Sequence, residues 1–308
     1  MKLMMLNMKV WLFSCLVVVT FVSCNRPPRE GWRFSDDIYW AVDETLRPVF
    51  EKEMEAYAGQ DSSAVFQTQF LPGDSVLALL VSDSVRCCVS TRPLTDYERY
   101  AIREKSLNVS EDRIATDALA LLVSKGNSDS VMSLDQLRDI LLGKITRWDD
   151  VFSSRKHGEI SIVVDHSKSG VLRCLREVVC DGQAIKGNLY AQGSVESVIE
   201  CVSADSMVVG VVSVSGLPLD SLSGSYFDHP DVTVMYVSSD MVSTACRPYL
   251  YHLSMGDYPL VRSVYVVTTD PRRTSSVKSF HGFLKGKQGQ EIISAHSRMM
   301  PVQTLLPL

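Results

Sequence analysis

Strand-length apolar runs recur along this chain, each followed by a segment with helical signals, and that alternation restricts the fold more than any single motif. Ile38–Val42 reads as a strand and Pro48–Tyr57 as the helix after it. Val65–Phe70, Ser75–Val81 and Val85–Ser90 repeat the rhythm as strand, helix and strand. Ala118–Val123, Ile160–Val164, Val208–Val214 and Val264–Thr268 read as further strands. Met207-Val208-Val209-Gly210-Val211-Val212 is apolar and rich in β-branched residues, as a parallel strand covered on both faces must be. Ser133-Leu134-Asp135-Gln136 forms a capping box for a helix that Gly143 ends, and two helices, Ser276–Leu284 and Gly289–Ser297, follow the last strand. The class is therefore α/β, built from βαβ units. No Gly-rich dinucleotide fingerprint is present, so the expected ligand crevice lies at the carboxyl ends of the strands.

The first residues do not belong to that rhythm. Lys2 and Lys9 precede an apolar core, Val10–Val22, closed by Ser23-Cys24. This reads as a signal peptide over 1–23 with a lipobox, making Cys24 the lipidated mature N-terminus and 24–32 a tether. The expected location is the periplasmic side of the cell envelope, anchored to the membrane. Of eight cysteines, six follow Cys24, at 87, 88, 174, 180, 201 and 246. They read mostly as buried free thiols; Cys87 and Cys88, adjacent in a strand, point to opposite sheet faces. A net charge of -5 argues against nucleic acid as a partner.

The segment from Asp165 to Arg173 (Asp-His-Ser-Lys-Ser-Gly-Val-Leu-Arg) follows a strand and opens a helix. Unpaired N–H groups and small polar side chains at such a place suit an oxyanion. The same Ser167 or Ser169 equally serves as a helix cap. No enzyme reading competes well. G-x-S-x-G is absent, the six histidines lack metal-ligand spacing, and His166 beside Ser167 cannot easily aim at it. No cofactor or metal is expected, and no enzyme activity.

Longer motifs sharpen this. Thr116-Asp117-Ala118-Leu119-Ala120, then Leu134 to Trp148 with Gly143-Lys144-Ile145-Thr146-Arg147-Trp148, resemble the phosphate-binding component of Pst-type phosphate ABC transporters. Ser90-Thr91-Arg92-Pro93-Leu94, Ser169-Gly170, Tyr258-Pro259-Leu260-Val261-Arg262 and the helix around Gly289-Gln290 agree with it. The resemblance covers about residues 36–300. It implies a type II periplasmic-binding-protein clamshell, two lobes each with a mixed, mainly parallel sheet flanked by helices. Lobe one combines 33–115 with 248–308, and lobe two is 116–247, closing on hinge strands near Thr116 and Tyr258. It implies a monomeric solute-binding lipoprotein that captures inorganic phosphate and delivers it to an ABC permease. The rival readings are a degenerate clamshell with a sensing or scaffold role, or a site for a different small anion or zwitterion.

By the same resemblance Thr45, Ser169 and Gly170 match the family's ligand-binding positions, and Thr91 and Arg92, with Ser167 and Lys168 after them, complete the expected site. The departures are equally specific. The family's arginine four residues before the serine is Asp165, its following threonine is Val171, and its first-lobe aspartate falls on Thr91. An unpaired carboxylate about 4 Å from a phosphate costs roughly 4 kcal/mol per unit charge at an effective dielectric near 20. That is about three orders of magnitude in affinity. Either Asp165 turns away or another cation compensates; Arg92 is the first candidate, with Lys168 and Arg173 next. Alternatively Glu44, Asp74 and Asp165 together favour a cationic or zwitterionic ligand. For Asp74 the simpler role is a carboxylate at a helix start.

Overall fold

Strand β1 (Ile38–Asp43) is buried at every position but Tyr39, and it fixes the first half of the architecture. It pairs in parallel with β2 (Phe66–Leu71) on one side and β3 (Cys87–Ser90) on the other. Helix α1 (Arg47–Gln60) connects β1 to β2, and α2 (Gly73–Val81) connects β2 to β3. The computed structural model describes residues 35–151, 154–217, 227 and 229–302. The signal sequence, Cys24 and the whole tether read from the sequence lie outside those residues. Among the described residues no helix is long and apolar enough to cross a membrane.

The central element is β4 (Ser110–Ser124), fifteen residues long. Its first half runs antiparallel to β11 (Val261–Thr268), which continues the sheet to β3. Its second half runs antiparallel to β8 (Val208–Ser213). Beyond β8 lie β6 (Ser161–Val164) and then β7 (Leu189–Ala191), both parallel. The strand order is thus β2-β1-β3-β11-β4-β8-β6-β7, one mixed sheet in which two parallel βαβ sets meet at β4 and β11. The sequence reading places only Ala118–Val123 in this strand. The first residues, Ser110-Glu111-Asp112-Arg113, carry no apolar run, and it is pairing with β11 that makes them strand.

Burial follows the topology. One apolar core spans Ala118 to Leu260, and two smaller ones cover the faces of the β1–β3 region. Cys87 belongs to one of those smaller cores and Cys88 to the other, so the adjacent thiols do point to opposite faces. The six described cysteines are free. Trp148 packs in the large core and donates its indole N–H to the Met207 carbonyl at 3.0 Å. The capping box at Ser133 forms as read, with both reciprocal bonds to Gln136, and opens α4 (Leu134–Leu141). Helix α3 (Asp96–Glu104), of which only Ile102 is buried, is not among the helices read from the sequence. Its signal is the second capping box, Thr95 with Glu98.

Candidate functional site

The first βα turns of both parallel sets end at one place. Asp43 closes β1 and accepts from the backbone N–H of Thr45 at 3.1 Å and from its hydroxyl at 2.8 Å. Its other oxygen accepts from the hydroxyl of Thr91, at the end of β3, at 2.8 Å. Arg173, on the short helix α5 (Gly170–Cys174), donates to that same Thr91 hydroxyl at 2.9 Å and to Asp74 at 2.9 Å. Arg262, from β11, donates to the Thr45 hydroxyl at 2.9 Å and to Asp117 of β4 at 2.8 Å. Asp117 is held from its far side by the hydroxyls of Ser213 and Ser215.

A continuous chain of hydrogen bonds therefore runs Arg173–Thr91–Asp43–Thr45–Arg262–Asp117. Each threonine hydroxyl has one proton, and each commits it to Asp43 while accepting from an arginine. All six side chains are buried. Arg262 Nη1, also buried, has no hydrogen-bond partner. Burial works against its charge, but Asp117 and Asp43 outweigh it and push its pKa up, so the guanidinium is fully ionised. An unmatched guanidinium N–H in a buried crevice is a donor suited to an oxyanion.

Gly170 is where the second parallel set meets the first. A Cβ on it would lie 2.4 Å from the Thr91 hydroxyl, 2.7 Å from Arg262 Nη1 and 2.8 Å from Asp43 Oδ2. Only glycine lets the backbone approach those groups so closely. Ser169 caps the helix start, its hydroxyl accepting from the Leu172 N–H at 3.2 Å. Asp165, 3% exposed, follows β6. Its carboxylate accepts from the Ser169 hydroxyl and the His166 backbone, yet burial dominates and raises its pKa. One of its oxygens, Oδ1, has no partner.

Among the residues chosen from the sequence, Thr45, Thr91, Ser169 and Gly170 come together here. Arg92, the expected compensating cation, forms a two-pronged pair with Glu98 at 2.7 Å on both arms and so is committed to the start of α3. Ser167 and Lys168 are exposed in the turn before α5. Arg173, placed after Arg92 among the candidate cations, is 4% exposed and part of the network. Asp74 does stand in the first turn of α2, where its charge suits the helix, and it also pairs with Arg173. Arg262, Asp43 and Asp117 were missed. Arg262 was legible only as part of the Tyr-Pro-Leu-x-Arg motif, and nothing in its neighbours says that the alternation of β11 turns it inward.

The fold and this crevice together define a two-lobed solute-binding protein. Residues 34–285 match the model of the PBP superfamily domain, and the chain belongs to that family. It is 24% identical to the phosphate-binding protein PstS of Staphylococcus epidermidis over 264 residues, 84% of this chain and 78% of that protein. It is 28% identical to PstS of Staphylococcus aureus over 149 residues, 48% of this chain and 45% of the other. In fold it is similar to a putative phosphate ABC transporter substrate-binding protein from Clostridium perfringens with bound phosphate. The TM-score is 0.67 at 20% identity, covering 87% of this chain and all of that one. An ABC-type phosphate transport receptor from Vibrio cholerae gives 0.67 at 18% identity, covering 86% and 100%. The resemblance drawn from the motifs, and the clamshell it implied, are borne out by these matches.

Proposed function

We propose that this chain is the solute-binding component of an ABC-type uptake system and captures inorganic phosphate at the junction of β1, β3, α5 and β11. The observation that carries this reading is Arg262: a buried, ionised guanidinium with an unmatched N–H beside Gly170, in a chain similar to phosphate-binding proteins. Arg173 adds a second buried cation. The roles proposed for Thr45, Thr91, Ser169 and Gly170 are to hold the phosphoryl oxygens, directly or by positioning the two arginines. In this reading 33–115 with 248–308 forms one lobe, 116–247 the other, and β4 and β11 hinge them. Export with cleavage after residue 23, lipidation of Cys24, a monomeric state and delivery to a membrane permease complete the proposal, as does the absence of catalysis.

Calorimetric titration of the full-length chain in detergent, first with phosphate and then with sulfate, tests it. Micromolar or tighter phosphate binding that weakens at least tenfold in Thr91→Val is the expected result. No heat with either anion overturns the assignment and favours the rival reading, a clamshell that serves as a sensor or scaffold.

A further inference from the structure

With 33–115 and 248–308 as one lobe and 116–247 as the other, Arg173 reaches out of the second lobe into the first. It gives Nη1 to Asp74 and Nη2 to Thr91, each at 2.9 Å. The starts of α2 and α5 abut beside it: a Cβ on Gly73 would lie 3.1 Å from the Gly170 nitrogen and 3.2 Å from its Cα. A second crossing runs the other way, from Arg298 of the first lobe to the Leu217 carbonyl of the second, at 2.7 Å. The two crossings border different cavities. Asp74 and Arg173 line one of about 660 Å³. Gly216, next to Leu217, lines another of about 310 Å³ with Glu44, Thr45 and Asp165.

Arg173 differs from Arg262 in what it has left to donate. Arg262 keeps a buried Nη1 without a partner, whereas both terminal nitrogens of Arg173 already bond across the crevice. Arg173 is buried, and on its own side Glu177 stands 3.8 Å from its Nε. Separating the lobes returns the guanidinium to water. Holding them together without Asp74 leaves a buried cation with the more distant Glu177 for a partner, which is costly. The Asp74 carboxylate therefore stabilises the closed arrangement selectively, using only the chain's own atoms.

We propose that Arg173 is an interlobe latch, engaged by Asp74 and Thr91, that sets the fraction of molecules in the closed form. This rests on the lobe division of the proposed function and narrows the role of Arg173 within it. A ligand held between the lobes binds the closed form, so its apparent affinity falls by the factor by which that fraction falls. Arg173 thus acts on phosphate affinity through closure, and Arg262 through its free donor.

Cys174 reports opening from inside the crevice. It is buried and lines a cavity of about 250 Å³ with Thr91, Pro93, Val261 and Tyr265 of the first lobe. Burial also raises its thiol pKa, so it reacts slowly while the lobes are together. The full-length chain in detergent is labelled with N-ethylmaleimide, a neutral reagent that the nearby arginines do not steer. Peptide mass spectrometry follows Cys174, with the buried Cys246 of the second lobe as internal reference. Asp74→Asn should speed labelling of Cys174 roughly fivefold and leave Cys246 unchanged, while Asp74→Glu, which keeps the carboxylate, stays near the parent. Arg298→Gln cuts the crossing at the other cavity and should speed Cys174 too, since rigid lobes share one open–closed equilibrium. Phosphate should slow labelling in both accelerated variants. Unchanged labelling in Asp74→Asn overturns the latch. Acceleration in Asp74→Asn but not in Arg298→Gln overturns it as well, because the loosening is then confined to α5. If phosphate slows neither variant, the phosphoryl reading falls while the latch, measured before phosphate is added, stands.

Discussion

Glu53 offers the sharpest test of the energetics, because it stands far from the crevice and has no compensating group. It lies on α1 one turn from Val49 and one from Tyr57, so helical geometry puts it on their buried face. It is fully buried, and neither oxygen has a hydrogen-bond partner. Burial alone pushes its pKa from 4.5 to about 9. In the folded protein it is therefore a neutral acid at neutral pH, whereas the unfolded chain ionises it. An acid whose folded pKa is raised confers its stability below the unfolded value and loses it as pH rises toward the folded one. At pH 7 the unfolded state gains roughly 2.5 units of ionisation, or about 3 kcal/mol at ~1.4 kcal/mol per unit. At pH 5 the same term is only about 1 kcal/mol. Glu53→Met, similar in volume and without the titration, should thus gain stability over the parent by about 2 kcal/mol more at pH 7 than at pH 5. Urea unfolding followed by tryptophan fluorescence at pH 5, 7 and 8.5 measures this. A stability difference between the two proteins that stays constant across that range would refute the reasoning.

The crevice yields three more predictions. Gly170→Ala drives a methyl against Thr91, Arg262 and Asp43, so phosphate binding should fall below detection in calorimetry while far-UV circular dichroism is kept; unchanged affinity would sink the close approach. Arg262→Ala leaves Asp117 buried without its cation and should cost about 3–5 kcal/mol in urea unfolding; pairing it with Asp117→Asn should recover much of that, and no recovery would show the pair is not coupled. Arg92→Ala should leave phosphate affinity within threefold, because its guanidinium is occupied by Glu98. It should change the acid limb instead: burial resists ionisation of Glu98, yet Arg92 and Thr95 overcome it and hold the pKa at about 2. That stabilisation is present above the unfolded carboxyl range and fades as pH falls toward 2, so the variant should lose the benefit and begin to unfold at higher pH.

Much of the fold was legible because it is written in burial. Strands such as Val208–Ser213, buried at all six positions, need apolar residues on both faces, and the sequence shows them directly. The capping box at Ser133 and the glycine past the end of α4 are local signals, and Gly143 does take φ +73°. The polar half of β4 escaped, since pairing with β11, distant in sequence, makes it strand rather than its own pattern; α3 carried a local signal, the Thr95–Glu98 capping box, that the reading did not use. At the site, Thr45, Thr91, Ser169 and Gly170 were found through motif positions. Arg262 was not, and Arg92 was preferred over Arg173, for a physical reason. A cation's value depends on which carboxylate its side chain meets, and Arg92 reaches Glu98 six residues on, whereas Arg262 reaches Asp117 at a separation of 145.

That separation also explains how the crevice tolerates a carboxylate at position 165. A guanidinium on the loop before Ser169 would be tethered only by that loop. Here the buried cation instead rises from β11, beside β4, and is locked by Asp117, which two serine hydroxyls hold in turn. The locked geometry leaves one buried N–H beside Gly170 without a partner and with little rotamer freedom left to lose on binding, which favours affinity. With the cation supplied from the sheet, position 165 is released from binding the oxyanion and can carry the opposite charge toward the neighbouring cavity. Asp165→Arg supplies a loop cation while leaving Arg262 in place, and should raise phosphate affinity at least tenfold in calorimetric titration. Should phosphate bind that variant more weakly than the parent, Asp165 is holding the turn before Gly170 in shape through Ser169 and the His166 backbone, rather than merely standing aside.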